Sequence, residues 1–187
     1  MNSDTAAPCG ISTERMPTWK AQVANTCVLS MGPPSADDDA DQSQNPKAVF
    51  SYVSAYGKPH ADSGARVFNL PRLNDGKFAL SGDDPANSTW FDTKGKSRVL
   101  VDLGRSISVA RINIYSWHSG ALSPQRYTLW ASDAESAPNT EAADLSKSWR
   151  EVAKVDTFAL GEGGKHGSSI NSVNGLLGQY RYQIGRA

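Results

Sequence analysis

Short stretches in which apolar and polar residues alternate constrain the fold of this chain more than any other feature. The stretch from Val109 to Trp117 has Ala110, Ile112 and Ile114 on one face and Arg111, Asn113 and Tyr115 on the other. A period of two places successive side chains on opposite faces of a strand. No window predicts a long amphipathic helix, so the pattern indicates a sheet protein with one buried face per strand.

Further strands are predicted in several other stretches, separated by turns rich in Gly, Ser, Asp and Pro: "AVFSYVSAY", "RVLVDLG", "QRYTLWASD", "SWREVAKVDTF" and "GQYRYQIG". In the last of these, Tyr180, Tyr182 and Ile184 are predicted to share one face. The glycine-rich stretch 161–169, "GEGGKHGSS", is predicted to be a surface loop between two strands. These elements predict an all-β fold, an antiparallel β-sandwich over residues 47–187.

Residues 1–46 differ from the rest in composition. The stretch "GPPSADDDADQSQNPK" is rich in Pro, Ser, Gln and Asp and offers little apolar surface to bury, which predicts a disordered or weakly structured linker. Both cysteines, Cys9 and Cys27, lie there, and their spacing matches no C-x-x-C motif. A disulfide in an oxidising compartment and two incidental thiols both stay open.

Charge and hydropathy exclude some classes of partner. Lys and Arg number 19, as do Asp and Glu, so no overall charge favours nucleic acid or an anionic membrane. No apolar run reaches the length of a membrane span. The first thirty residues lack the pattern of a signal peptide, which indicates either a cytosolic protein or an internal piece of a longer secreted chain.

The sequence lacks three common catalytic or phosphate-binding motifs. No G-x-S-x-G elbow and no H-E-x-x-H sequence occur, and the Lys165 region lacks the glycine and hydroxyl residue of a phosphate loop. The three histidines, His60, His118 and His166, fall in separate loop-like stretches without metal-ligand spacing. The sequence therefore predicts that the protein is not an enzyme.

An ordered set of motifs resembles the discoidin family, the coagulation-factor C-type domains that share the galactose-binding-like jelly roll with many carbohydrate-binding modules. The motifs are Asp75-Gly76, Trp90, the "VDLG" of Val101–Gly104, Ile112 and Ile114, Tyr127 to Asp133, and Trp149. The resemblance covers roughly residues 48–185 and implies a jelly-roll β-sandwich. Family domains usually have one more strand, carrying a Glu, so the resemblance implies either that this chain is a fragment or that the sandwich lacks its last strand and exposes an edge.

A structural Ca²⁺ is the second implication of the resemblance. Calcium prefers six to eight oxygen ligands, which an irregular acidic loop supplies. The implied site consists of Asp75, Lys77, Ser88 and Thr89, with Asp83 and Asp84 as further candidates. An Asn-Asp-Gly turn that needs no metal explains the same residues, and both interpretations stay open.

A ligand site on the end loops is the third implication, because function commonly lies on loops over a rigid scaffold. The expected ligand-binding residues are Tyr56, His60, Trp117, His118 and Arg126. Trp117 either stacks on a sugar ring or caps the core, and both readings stay open. Trp90 and Trp149 are expected to be core residues.

Together these inferences predict a non-catalytic module that binds carbohydrate or another glycan, within a larger multidomain protein of the extracellular space or cell envelope. The alternatives are a structural or protein-interaction sandwich without sugar affinity and, from another class, a hydrolase whose site the motifs do not reveal.

Overall fold

The computed structural model describes residues 25–27, 38–41, 43–54, 66–92, 97–172 and 175–186. The strands of these residues, in chain order, are β1 (Asn25–Cys27), β2 (Val49–Ser54), β3 (Arg66–Phe68), β4 (Trp90–Asp92), β5 (Ser97–Val109), β6 (Arg111–His118), β7 (Arg126–Ser132), β8 (Arg150–Asp156), β9 (Gly164–Asn171) and β10 (Gly178–Arg186). Helical structure in the described residues is limited to short 3₁₀ turns at Leu70–Leu73, Gly120–Leu122, Leu145–Lys147 and Phe158–Leu160. Within the same residues, no helix has the length and apolarity required to cross a membrane.

The strands form two larger antiparallel sheets, which confirms the predicted β-sandwich. The five-stranded sheet has the order β2-β5-β10-β7-β8 and the three-stranded sheet has the order β1-β9-β6, while β3 and β4 pair separately. At one end of the sandwich, here called the loop end, β6 ends at His118, β7 begins at Arg126, β8 ends at Asp156 and β9 begins at Gly164. The connections that follow or precede these strands therefore meet at the loop end.

The main core lies between the two sheets. Leu129 and Val155 of the five-stranded sheet and Ile170 of the three-stranded sheet are buried together, and the half-buried Ile112 packs against them. Ile112 in β6 and Leu129 in β7 are each more buried than the residues on either side of them, as the predicted period of two requires. A second cluster, on the other face of the five-stranded sheet, contains Trp149, which is 4% exposed and is a core residue as predicted.

Strand β10 departs from simple alternation. Tyr180 belongs to the main core, whereas Tyr182 and Ile184 belong to the second cluster. The prediction that all three share one face is wrong, because the pairing of β10 with β5 shifts register between Tyr180 and Tyr182. Such an irregularity turns the following side chains to the other face.

The predicted exposed edge does not fall on this strand, since β10 is paired on both sides, with β5 and β7. The absence of a further strand remains a prediction.

On the β5 side, the register shift between β5 and β10 falls at the "VDLG" motif. Gly104 has φ +75, and a Cβ there would lie 2.6 Å from the Cβ of Lys47, so a side chain is excluded on two counts. The carboxylate of Asp102 accepts a hydrogen bond from the Gly104 amide at 2.8 Å and pairs with Arg181 of β10. The motif therefore fixes a bend in β5 and ties it to the neighbouring strand.

Parts of the predicted N-terminal linker contact the sandwich. Residues 25–27 form β1, which pairs with β9, and Ala40 packs against the main core. Asn45 donates its side-chain amide to the Leu103 carbonyl at 3.0 Å. The boundary at residue 46 remains a prediction, as does any pairing of Cys9, which lies outside the described residues, with Cys27.

Strand β9 corrects the prediction of a loop over residues 161–169. Gly164–Asn171 pairs with β6 from end to end, and His166 is 3% exposed inside the fold. Low intrinsic strand propensity of glycine is overridden here by two flanking strands, because β9 is the central strand of its sheet. Since His166 and Ser168 are both buried, this strand brings polar groups into the interior.

Candidate functional site

The long loop between β3 and β4 begins with an ion pair at the predicted calcium residue. Arg72 donates to Asp75 Oδ2 at 2.7 Å, and the Lys77 amide donates to Asp75 Oδ1 at 3.1 Å. Further along, the Thr89 hydroxyl donates to the Asn69 carbonyl at 2.8 Å, while Ser88 is half-buried. Both oxygens of Asp75 are thus engaged by N–H donors.

This arrangement does not fit Ca²⁺, because a cation would have to displace the guanidinium of Arg72 from Asp75. Among the described residues, no group of three or more His, Cys, Asp or Glu side chains lies close enough to hold a metal ion. Calcium binding by Asp75, Lys77, Ser88 and Thr89 remains a prediction.

Asp84 closes the tip of the same loop. It is 9% exposed and accepts hydrogen bonds from the amides of Leu80 at 3.1 Å and Ala86 at 2.9 Å and from the side chain of Asn87 at 2.9 Å. The Asn87 side chain, followed by the amide donors, holds the pKa of Asp84 below its usual value. Asp84 is therefore a structural acceptor that shapes the loop.

Asp83 joins this loop to the end of β6. Its backbone has φ 57, a left-handed conformation that Asp tolerates better than most residues, and its amide donates to the Trp117 carbonyl at 3.1 Å. Its carboxylate accepts from the Ser119 amide at 3.2 Å and lies 3.2 Å from His118 Nδ1. Hydrogen bonds from Ser119, with a smaller contribution from His118, lower the pKa of Asp83.

His118 is fixed from two sides. Asp83 holds one ring nitrogen, and the ring of Trp90 meets the imidazole edge to face at 4.7 Å between centroids. Trp90 is half-buried, which agrees with its predicted packing role. The imidazole is consequently oriented by its neighbours and stays 15% exposed.

Trp117 lies on the outer face of β6, beside His118 in sequence and opposite Lys165 of β9. The Lys165 ammonium lies 4.2 Å from the ring centroid, and a Cβ at Gly82 would lie 3.4 Å from the indole nitrogen. The side chain is half-buried, so part of the ring remains exposed. The long loop, β6 and β9 therefore converge on this one side chain.

Ser123 connects the ends of β6 and β9. It is 0% exposed, and its hydroxyl is directed at two carbonyls, those of His118 and of Gly164, the latter at 3.1 Å. The first carbonyl belongs to His118 itself, and the second belongs to Gly164, which directly precedes Lys165. Ser123 thus sets the spacing between His118 and Lys165.

A buried polar network supports the loop end from below. The Gln125 side chain donates to the carbonyls of Ile114 at 2.9 Å and His166 at 3.2 Å and accepts from Ser168 at 2.6 Å. Thr157 accepts from the Gln125 amide at 2.7 Å. One glutamine thereby forms hydrogen bonds with polar groups of β6, of the β8–β9 connection and of β9. A network in which each buried polar group has a partner keeps the base of the loop end rigid.

Arg126 forms its ion pair and its ring contact with residues other than Trp117 and His118. It pairs with Asp156 at 3.0 Å and lies 5.2 Å from the ring centroid of Phe158. Tyr56 and His60 lie outside the described residues. Of the five predicted ligand-binding residues, Trp117 and His118 are neighbours at the end of β6, where strand alternation directs their side chains to opposite faces.

Three members of the cluster at the loop end had no predicted ligand role: Asp83, Ser123 and Lys165. Asp83 entered the sequence analysis as a calcium candidate only. Lys165 sits in a glycine-rich stretch that carries no strand signal, and its position opposite Trp117 follows from the β6–β9 register, which the sequence does not reveal.

Comparison with known proteins gives a likeness to solved structures only. No family model matches the chain, and no curated protein matches it. The fold is similar to CpGH89CBM32-6, produced by Clostridium perfringens, with a TM-score of 0.46, 14% identity and 78% of this chain aligned to 86% of that chain. It is also similar to the CBM32-1 and CBM32-2 domains of Clostridium perfringens ZmpB, with a TM-score of 0.45, 9% identity and 88% of this chain aligned to 38% of that chain.

A third similar structure is a Ruminococcus gnavus GH29 fucosidase in complex with fucose, with a TM-score of 0.35, 12% identity and 78% of this chain aligned to 26% of that chain. The first two structures are carbohydrate-binding modules of the CBM32 class. At these identities the likeness concerns the fold alone.

Proposed function

We propose that the protein is a non-catalytic module that binds carbohydrate through the loop end, around Trp117, His118 and Asp83. The observation that carries the proposal is the convergence of a half-exposed indole and fixed polar groups on a rigid two-sheet scaffold. A sugar ring combines an apolar face with hydroxyls, so it suits an aromatic surface flanked by oriented donors and acceptors. Because Asp83 and Ser123 fix these groups in advance, binding would cost little ordering entropy.

The wider context follows from the same proposal. A module of this kind serves as an accessory to a larger protein that acts on or attaches to glycans, in the extracellular space or at the cell envelope. The ligand groups are the Trp117 ring, the imidazole of His118 and, where the first loop joins them, Tyr56 and His60.

A glycan array tests the proposal directly. We expect the protein to bind a subset of glycans, and we expect Trp117→Ala and His118→Ala each to lower the signal by at least about tenfold, as loss of a central contact does. Lys147→Met is the matched control, because Lys147 is exposed and precedes β8 at the opposite end. Near-UV circular dichroism and the melting temperature establish that the variants remain folded. An array without signal for folded protein contradicts the proposal.

A protein-interaction module is the second candidate, favoured by a separate observation. Leu122, Phe158 and Leu160 lie on two neighbouring loop-end turns and are 63%, 46% and 56% exposed. Exposed apolar side chains that cluster in this way are typical of interaction surfaces. Under this candidate the array stays empty, and a protein partner binds in a manner that Leu160→Ser weakens and His118→Ala does not.

A further inference from the structure

Within the described residues, cations contact aromatic rings at three places: Arg126 with Phe158, Lys165 with Trp117, and Arg181 with Tyr182. In two of them a carboxylate also neutralises the cation. Arg126 Nε lies 3.0 Å from Asp156, and Arg181 Nε lies 3.0 Å from Asp102. These two contacts are internal ion pairs that an aromatic ring covers.

Lys165 differs from both. No carboxylate of the described residues forms an ion pair with its ammonium, which lies 4.2 Å from the Trp117 ring centroid on an exposed side chain. A carboxylate binds a lysine ammonium more strongly when an aromatic ring already restricts the lysine side chain. The reason is that a restricted side chain loses less rotamer entropy when the ion pair forms. The loop end therefore carries one oriented positive charge that the described part of the chain does not balance.

The nearby acidic groups do not remove this charge. The Asp83 carboxylate is engaged by the Ser119 amide and His118, as described above. Glu162, the other acidic residue close to Lys165 in the chain, is exposed in the turn before β9. Among the described residues, none accepts a hydrogen bond from the Lys165 ammonium, so its N–H donors are available to a ligand at the loop end.

We propose that the loop end selects sugars that carry a carboxylate, and that Lys165 is the specificity-determining residue that pairs with it. The inference rests on the proposed function and narrows its ligand class to acidic glycans. A uronate ring has the same size and the same apolar face as its neutral parent. It can therefore contact the exposed part of the Trp117 ring that the Lys165 ammonium does not cover and add a charge-assisted hydrogen bond to that ammonium.

Matched pairs of ligands test the inference. The methyl glycosides of galactose and of galacturonic acid, and those of glucose and of glucuronic acid, differ only at the exocyclic carbon, which is either a hydroxymethyl group or a free carboxylate. Both pairs can be titrated by isothermal calorimetry or NMR. We expect the uronate of at least one pair to bind about two- to fivefold more tightly than its neutral partner, the range for an exposed charge pair. Lys165→Met should abolish that ratio, and Lys165→Arg should retain it.

The controls separate this inference from the function on which it rests. Lys147→Met should leave the ratio unchanged, and raising the salt concentration should lower it in the wild-type protein, because salt screens exposed charges. Neutral and acidic partners that bind equally would overturn the role of Lys165 and leave carbohydrate binding intact. If neither member of any pair binds, and the glycan array is also empty, both proposals are contradicted.

Discussion

Single residues at the loop end act mainly by holding backbone groups in place. Ser123 is the clearest example, since one buried hydroxyl serves two carbonyls on different strands. Asp83 is another, because its left-handed backbone lets a single residue bond both Trp117 and Ser119. Substitutions of these residues are expected to shift the backbone groups of the site. They change the surface that a ligand contacts only through that shift.

Ser123→Ala is expected to lower the free energy of unfolding by about 1–3 kcal/mol, because it removes a buried hydroxyl and the hydrogen bond that this hydroxyl donates to the His118 or the Gly164 carbonyl. Urea unfolding followed by tryptophan fluorescence measures the change. Ser136→Ala, at an exposed position, is the matched control and should change stability by less than about 0.5 kcal/mol. Equal effects of the two substitutions would show that the hydroxyl of Ser123 does not connect β6 and β9.

Calcium is the second question at the residue scale. If Ca²⁺ binds through Asp75, it competes with Arg72, so Arg72→Gln is expected to increase the rise in melting temperature that Ca²⁺ produces relative to a chelator. The ion pair itself is partly exposed and contributes only about 0–1 kcal/mol, so the variant should remain folded. A calcium response that is the same in both proteins, or absent from both, would remove Asp75 as a ligand.

At the scale of strands, the alternating pattern predicted β6 and β7 well because each has one face on the main core. The pattern failed at β10, where the register shift against β5 moves Tyr182 and Ile184 to a second cluster. It failed again at β9, whose glycines and serines carry no strand signal. Both errors arise from pairing with distant strands, which no local window contains.

The bend in β5 gives a prediction at this scale. Gly104→Ala is expected to lower the free energy of unfolding by about 2 kcal/mol, since it combines a positive φ with a collision against Lys47. Gly185→Ala in β10 is the control, because a Cβ there meets no atom within 4 Å. Thermal unfolding of the two variants should differ by several degrees. A neutral Gly104→Ala would mean that β5 does not bend as described.

At the scale of the whole molecule, the sequence predicted the class of fold, the two packed sheets and the end that carries Trp117 and His118. It could not predict that Arg126 turns to Asp156, or that Lys165 comes to lie over Trp117. Each of these contacts joins two residues that lie opposite each other on paired strands, Arg126 and Asp156 in β7–β8 and Trp117 and Lys165 in β6–β9, so it depends on a strand register that the sequence does not reveal. The sequence therefore placed Trp117 and His118 at the end of a strand and missed the contacts that surround them, and the ligand role of both residues remains a prediction.

The stability of the molecule is expected to fall in acid. Asp83 and Asp84 have pKa values lowered from the usual 3.8, so their folded forms favour the ionised state. Their contribution is complete above that value and is lost as the pH falls through the lower folded-state pKa values. Urea midpoints measured between about pH 5 and pH 3 should decline, and Asp84→Asn should flatten part of the decline because an amide does not titrate. An unchanged slope in the variant would contradict this assignment.

The central claim is that a rigid sandwich presents one binding surface, at the loop end. The most direct test is an NMR titration of backbone amides with whichever glycan the array or the matched sugars identify. We expect chemical-shift changes at residues 82–84, 117–123 and 163–166, and little change near Lys147 at the opposite end. Shift changes centred on the opposite end, or on the outer face of the five-stranded sheet, would contradict the claim.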